Sequence, residues 1–168
     1  GASRGIGKAI AEALGKMGAT VIGTATSEAG AKAIGERLQT EGYKGGGVVL
    51  NVIDSASVEQ AIKTINEQFG SIDILVNNAG ITKDNILMRM KDEEWDDVIA
   101  TNLTSVFRLS KACLRGMTKA RWGRIINISS VVGEMGNAGQ SNYAATKAGV
   151  AGFARALARE IGSRNITV

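Results

Sequence analysis

The sequence lacks residues on which several common kinds of site depend. It contains no histidine and a single cysteine, Cys113. These absences exclude the usual zinc sites, the Ser-His-Asp and Cys-His nucleophile systems and an internal disulfide framework. Proton chemistry must therefore run on tyrosine, lysine, carboxylates or water. Cys113 falls among apolar residues of a predicted helix, so we expect it to be buried and inert.

Long apolar runs and concentrated charge are also absent. No stretch approaches the ~20 apolar residues that span a membrane. The net charge of +4 is scattered over predicted helix faces, which argues against a nucleic-acid surface. With 44% hydrophobic residues, the 168-residue chain can bury the core of one domain. We therefore expect a cytoplasmic protein with no metal site and no nucleic-acid or membrane partner.

Helical and strand-like patterns alternate along the chain. Near-continuous apolar runs predict strands at 20–23, 47–52, 72–76, 124–128 and 166–168. The last of the intervening helices is predicted over residues 141–161, and Ser27 is a predicted helix cap. Apolar strands separated by helices indicate a parallel sheet covered on both faces. We predict one doubly wound, three-layer αβα domain of Rossmann type over residues 1–168.

The first predicted helix and the chain ends complete this pattern. The apolar face of that helix is predicted to consist of Ile6, Ile10, Ala13, Leu14 and Met17. A glycine loop of this kind needs a strand in front of it, but the sequence opens within the loop, closes within a strand and contains no proline. We therefore expect a portion of a longer protein, without its first strand and its C-terminal part.

A glycine-rich segment, Gly1-Ala2-Ser3-Arg4-Gly5-Ile6-Gly7, leads into the first helix, which opens at Gly5-Ile6-Gly7. Glycine allows a sharp turn and lets main-chain N–H groups at a helix N-terminus approach a pyrophosphate. Such a segment can also serve only as a turn. Its position at the head of repeated strand–helix units favours a dinucleotide site.

The segment after the strand at 20–23 bears on the identity of that dinucleotide. Many NAD-binding proteins place a carboxylate there to bind the adenosine ribose. This chain has Thr26 and Ser27 instead, and with Arg4 they offer hydroxyls and a guanidinium to a 2′-phosphate. We therefore predict NADPH or NADP+ as the cofactor. Glu28 is the residue that argues for NAD, although glutamate is ordinary in the first turn of a helix.

Tyr143 and Lys147 are four residues apart in the last predicted helix, so they share one face of it. A free tyrosine ionises only near pH ~10, but a nearby ammonium stabilises the phenolate and favours proton transfer closer to neutral pH. As a bare spacing, the pair is more typical of a helix surface. Two features favour catalysis: Ser129-Ser130 ends the preceding strand, and Asn102 lies at the polar margin of an apolar helix stripe, where a buried amide needs partners.

One more polar segment, Asn77-Asn78-Ala79-Gly80, ends a predicted strand. Ligands of doubly wound sheets bind at the carboxyl ends of strands, so this segment is either a ligand contact or a turn that satisfies its own main chain. The glycine loop, Asn-Asn-Ala-Gly, the strand-end serine and Tyr-x-x-x-Lys, in this order, resemble the short-chain dehydrogenase/reductase family over essentially the whole chain.

The resemblance implies a role for each matching residue. Tyr143 would be the general acid that protonates a substrate carbonyl, and Lys147 would assist it and bind the nicotinamide ribose. Ser130, in preference to Ser129, would hydrogen-bond the carbonyl, and Asn102 would position a water in the proton relay. The cofactor residues implied in addition to Tyr143 and Lys147 are Gly1, Ala2, Ser3, Arg4, Gly5, Ile6, Gly7, Thr26, Asn51, Val52, Asn78, Ala79 and Gly80.

Within the family, residues 80–85 and 88–91 resemble bacterial members that use NADPH to reduce 3-oxoacyl groups on acyl carrier protein in fatty acid synthesis, and that form homotetramers. Arg121 and Arg164 match a basic patch for the acidic carrier protein, or are solvated surface arginines. Two alternatives remain open: a reductase of acetoacetyl-CoA or another small ketone, and a non-catalytic nucleotide-sensing module. The module would not need to retain all four catalytic residues.

Overall fold

The computed structural model describes all residues, Gly1–Val168. The chain divides into two compact units, Gly1–Ser71 and Ile72–Val168. Each unit contains parallel strands flanked by helices. The predicted Rossmann-type α/β fold is confirmed, and the organisation of the chain as a single domain stays a prediction.

The first unit contains three helices and two strands: α1 (Gly5–Lys16), β1 (Val21–Ala25), α2 (Glu28–Thr40), β2 (Gly45–Val49) and α3 (Ser55–Phe69). β1 and β2 are parallel, and Ala25 at the end of β1 lies opposite Val49 at the end of β2. The strand predicted at 47–52 therefore begins and ends earlier than expected. Asn51 and Val52 lie in the turn that follows β2 rather than in the strand.

Helix α2 forms as the sequence predicts. The Ser27 Oγ accepts a hydrogen bond of 3.1 Å from the Gly30 N–H and caps the helix. The apolar residues at helical spacing are buried: Ala31, Ile34 and Leu38. The capping serine and the spacing of the apolar residues indicate the same helix, so the local sequence was sufficient to predict α2.

The predicted apolar face of α1 is confirmed only in part, since Leu14 packs against the core of the first unit whereas other members of the face are exposed. The helix buries Ala11 and Gly15, while Ile6 and Met17 are 64% and 82% exposed. Gly15 lies against the ring of Tyr43, where a Cβ would come within 2.7 Å of the ring carbons. Small residues let this helix approach its neighbours closely. This close packing, rather than the spacing of the apolar residues alone, determines which face of the helix is buried.

The second unit contains the remaining elements: β3 (Ile74–Asn77), α4 (Asp92–Ile99), α5 (Ser105–Ala120), β4 (Gly123–Asn127), α6 (Val132–Met135), α7 (Ser141–Ile161) and β5 (Ile166–Thr167), with 3-10 turns at Leu87–Arg89 and Gly162–Arg164. Its strands are parallel in the order β3-β4-β5. The bounds of α7 are those predicted, whereas the four-residue helix α6 was not predicted.

The helix whose apolar stripe was predicted to flank Asn102 is interrupted by one π-helical turn, Ala100–Thr104, between α4 and α5. Most of the predicted apolar stripe is buried, namely Val98, Val106, Leu109, Cys113 and Met117, whereas Trp95 at its start is 38% exposed. Burial raises the pKa of the Cys113 thiol to about 12, which keeps it protonated near neutral pH. None of the helices has the length and apolar character needed to span a membrane. No cluster of three or more acidic, histidine or cysteine side chains is placed to bind a metal ion.

Candidate active site

The four residues predicted to be catalytic all lie in the second unit. Tyr143 and Lys147 belong to α7, Ser130 follows β4, and Asn102 lies in the π-helical turn. β3 and β4 are parallel and stay paired beyond their ends, since the Ile128 N–H donates to the main-chain O of residue 77 at 3.0 Å. The segments that follow both strands therefore leave the same edge of the sheet. This edge carries residues 78–80 and 129–130.

The Lys147 side chain is bonded to the end of β4. Its Nζ donates to the Ile128 main-chain O at 2.6 Å and lies 5.6 Å from the centroid of the Tyr143 ring. Burial lowers the pKa of Lys147 because the charged form loses hydration. The structure thus places an ammonium group beside the half-buried Tyr143, on the shared helix face that the spacing predicts.

The two serines after β4 have different partners. The Ser129 Oγ donates to the main-chain O of Lys147 at 3.3 Å. The Ser130 Oγ accepts a hydrogen bond of 3.2 Å from the Val132 N–H. Because accepting this bond uses a lone pair, the Ser130 hydroxyl hydrogen is still available to a substrate oxygen. This difference favours Ser130 over Ser129 as the residue that contacts the carbonyl.

Helix α6 presses Gly133 against α7. A Cβ at Gly133 would lie 2.8 Å from the Ala148 main-chain N and 2.9 Å from the Lys147 Cβ. Real Cβ atoms do not approach main chain this closely, so only glycine fits without movement. No role was predicted for Gly133 from the sequence. Its position three residues after the strand-end serine was the available signal.

Asn102 is 1% exposed, which confirms the expectation of a buried amide beside the apolar stripe. The predicted need for partners is confirmed. Its Oδ1 accepts from the Ile81 N–H at 2.8 Å, and its Nδ2 donates to the Ile81 O at 2.9 Å. The Nδ2 also lies 3.4 Å from the Thr146 Oγ1, which donates to the Tyr143 O at 2.8 Å. The amide therefore links the segment after residues 78–80 to the helix of Tyr143.

A second buried amide, Asn142, was missed. It is 0% exposed and directly precedes Tyr143. Its Nδ2 donates to the main-chain oxygens of Lys83 at 2.9 Å and Glu94 at 3.3 Å, and its Oδ1 accepts from the Tyr143 N–H at 2.8 Å. An asparagine near a helix start is too common for the sequence to mark it.

The predicted phosphate loop, residues 1–7, leads into α1 in the first unit. Gly5 has a φ of +56°, a left-handed conformation that favours glycine. The Ala2 N–H donates to the Thr24 O at 3.0 Å, and the Arg37 Nη2 donates to the Ala2 O at 2.8 Å. The loop therefore runs beside the end of β1. The first turn of α1 contains no acidic residue, so its main-chain N–H groups are suited to an anion.

The other predicted cofactor residues of the first unit follow the strand ends. Thr26 is exposed after β1, and Asn51 and Val52 follow β2. The Leu50 N–H donates to the Ala25 O at 2.8 Å, which keeps these two chain ends side by side. The structure thus brings Thr26, Asn51 and the loop to one edge of the two-stranded sheet.

Arg121 and Arg164 line one shallow depression on the second unit. Its other lining residues are Leu114, Arg115, Thr118, Lys119, Glu160 and Ile161. Arg121 ends α5 in a left-handed conformation with a φ of 54°. Four basic side chains and a single carboxylate make the depression positively charged, and this charge is suited to an acidic surface.

Comparison with known proteins gives consistent matches along the whole chain. The short chain dehydrogenase family matches residues 1–168. The 3-oxoacyl-(acyl-carrier-protein) reductase of Vibrio harveyi is 67% identical over 168 residues, which cover 100% of this chain and 68% of that enzyme. Reductases of the same name from Pseudomonas aeruginosa and Escherichia coli are each 66% identical, with the same coverage.

Proposed function

This chain belongs to the short-chain dehydrogenase family, and we propose that it reduces the 3-oxo group of thioesters on acyl carrier protein, with NADPH as reductant, in fatty acid synthesis. The observation that carries the proposal is the Lys147 ammonium, which lies 5.6 Å from the Tyr143 ring centroid and is bonded to the main-chain O of Ile128 after β4. Identity of 66–67% to reductases of that name, over the whole chain, supports the substrate class.

Tyr143 donates its phenolic proton to the substrate carbonyl oxygen as a hydride reaches the carbonyl carbon. NADPH, when bound, supplies that hydride. Lys147 stabilises the phenolate that remains, because its positive charge lies next to the ring. Ser130 donates a hydrogen bond to the carbonyl oxygen, where negative charge develops. The product is the 3-hydroxyacyl thioester.

Asn102 contributes through the main chain that it orders. Both polar atoms of its amide are bonded to Ile81. We propose that Asn102 positions a water of the proton relay through the main chain of the π-helical turn. The same amide keeps residues 78–80 in place after β3, and we propose these as cofactor contacts.

The residues of the first unit fit a cofactor with a 2′-phosphate. β1 ends without a carboxylate, and Arg4 and Thr26 are both exposed. The Ser27 Oγ accepts the capping bond from Gly30, so its hydroxyl hydrogen can still be donated. A guanidinium and hydroxyls are donors suited to a phosphate. Main-chain N–H groups of residues 1–7 would hold the pyrophosphate, and Asn51 and Val52 the adenine.

The basic depression that contains Arg121 and Arg164 is the proposed docking surface for the acidic carrier protein. A homotetramer and a cytoplasmic location stay predictions, and light scattering on the natural full-length protein measures the first directly.

The test compares reduction of acetoacetyl groups on acyl carrier protein and on CoA by the natural full-length protein. We expect faster NADPH oxidation with the carrier-bound thioester, and slower reaction when NADH replaces NADPH. Charge reversal at Arg121 and Arg164 should raise KM for the carrier-bound substrate only. Equal rates with both thioesters would favour a small-ketone reductase, and no oxidation with any ketone would favour a non-catalytic nucleotide module.

A further inference from the structure

Two segments of the second unit are hydrogen-bonded side by side, and one of them ends immediately before Tyr143. We call them the strap, Lys83–Asn85 against Gly139–Asn142. Its bonds run in reverse order along the two segments: Asn142 Nδ2 to Lys83 O at 2.9 Å, Gln140 Nε2 to the Asp84 carboxylate at 3.1 and 3.2 Å, and Asn85 N–H to Gly139 O at 2.9 Å. The strap therefore connects the start of α7 to the segment that follows β3.

Asn142 is the buried member of the strap. Its amide makes one bond within α7, to the Tyr143 N–H, and two bonds out of it, to Lys83 and Glu94. A fully buried amide is costly unless it is bonded, so losing these partners would release the first turn of α7. The bonds of Gln140 to Asp84, by contrast, are exposed to solvent and weaker.

The segment to which Asn142 bonds is itself held firmly. Asn102 binds both main-chain groups of Ile81, two residues before Lys83. The Lys83 ammonium pairs with the Asp97 carboxylate of α4. Through the strap, the position of Tyr143 therefore depends on the Asn102 amide and on α4 as well as on the neighbours of Tyr143 within α7.

We propose that Asn142 is a positioning residue that sets the direction from which Tyr143 presents its hydroxyl to the substrate. This inference rests on the proposed function of Tyr143 as the proton donor. Asn142 touches neither substrate nor cofactor in this role. It acts by bonding the first turn of α7 to the main chain of Lys83 and Glu94.

The experiment compares Asn142→Ala with Gln140→Ala in the natural full-length protein. The control variant removes only solvent-exposed side-chain bonds, those of Gln140 to Asp84 and to Asn137. For Asn142→Ala we expect kcat to fall by about 10- to 100-fold, because a misplacement of ~1 Å costs rate of that order. KM for NADPH and thioester should change by less than about threefold, since ground-state binding is retained. Gln140→Ala should leave kcat within about twofold of the parent.

A second readout does not depend on activity. Hydrogen exchange at the Tyr143 main-chain N–H should be faster in Asn142→Ala and unchanged in Gln140→Ala. Parental kcat and exchange in Asn142→Ala, or equal losses in both variants, would overturn the proposal. If Asn142→Ala does not fold, Asn142→Ser is measured in its place, and failure of both to fold would assign Asn142 a purely structural role. An inactive parent enzyme contradicts the proposed function instead, and the exchange measurement then decides on Asn142.

Discussion

The two units hold their candidate residues in different ways. In the first unit, Ser3, Arg4 and Thr26 are exposed, and the predicted phosphate loop is positioned through main-chain bonds of Ala2. In the second unit, buried polar side chains donate to main-chain oxygens of other segments: Asn102 to Ile81, Asn142 to Lys83 and Lys147 to Ile128.

This contrast follows from the chemistry proposed for each unit. An anion is bound by several main-chain N–H groups together, so no single side chain has to be placed accurately. Proton transfer needs one hydroxyl at hydrogen-bond distance from one oxygen, so the helix that carries Tyr143 must be fixed from several directions. We expect substitutions in the second unit to affect turnover and those in the first to affect cofactor affinity.

The largest expected effect is at the proton donor. Tyr143→Phe removes the hydroxyl and should lower kcat by about 10²–10⁴-fold, the usual contribution of general acid catalysis. NADPH affinity, measured by fluorescence titration, should stay near that of the parent because the ring and Lys147 remain. Turnover close to the parental rate would show that the proton comes from another group.

A smaller loss is expected where α6 meets α7. Gly133→Ala places a methyl group 2.8 Å from main-chain atoms of α7, and overpacking of this kind costs about 1–3 kcal/mol in the free energy of unfolding. Chemical denaturation measures the loss, and kcat should fall with it because Lys147 is displaced. Gly152→Ala is the matched control, since Gly152 lies in α7 with nothing within 4 Å of its Cβ position. Equal stability of the two variants would contradict the close contact at Gly133.

The first unit is tested by its choice of cofactor. Thr26→Asp adds a carboxylate at the end of β1, and like charges about 4 Å apart cost about 1 kcal/mol in water. NADPH should therefore bind about fivefold to tenfold more weakly, at roughly unchanged kcat. Thr40→Asp, at the other end of α2, makes the same change in charge and should leave NADPH affinity unaltered. A loss of NADH affinity as large as that of NADPH would argue against a 2′-phosphate site at Thr26.

The smallest effect concerns the pH dependence of stability. Burial lowers the pKa of Lys147 in the folded protein from its ordinary value of 10.5. At pH values between the folded and the unfolded pKa, the unfolded chain therefore binds more protons than the folded protein. Through that window the free energy of unfolding should rise with pH more steeply in the parent than in Lys147→Met. Denaturation at several pH values measures the difference, with the exposed Lys119→Met as control. Parallel curves for parent and Lys147→Met would contradict the burial of the ammonium.

The elements predicted best are those whose local signals agree. Ser27 caps α2 as predicted, because a hydroxyl that accepts from a main-chain N–H in the first turn satisfies the helix start locally. The buried face of α1 was predicted only in part: Leu14 packs against the core, but close packing against Tyr43 buries Gly15 while Ile6 is exposed. The π-helical turn was not predicted. The bonds that its Asn102 makes to Ile81 join residues 21 positions apart, and a contact of this length leaves no local pattern.

By itself, the sequence determined the class of fold, the family and the pairing of Tyr143 with Lys147. These depend on apolar period, on motif order and on a four-residue spacing, all of which are local. Only the tertiary structure decided which polar groups hold that pair in place. Asn142, Gly133 and Ile81 acquire their roles from segments that meet in space, and burial then makes every unbonded polar group costly. Long-range contacts of this kind leave no period or spacing in the chain.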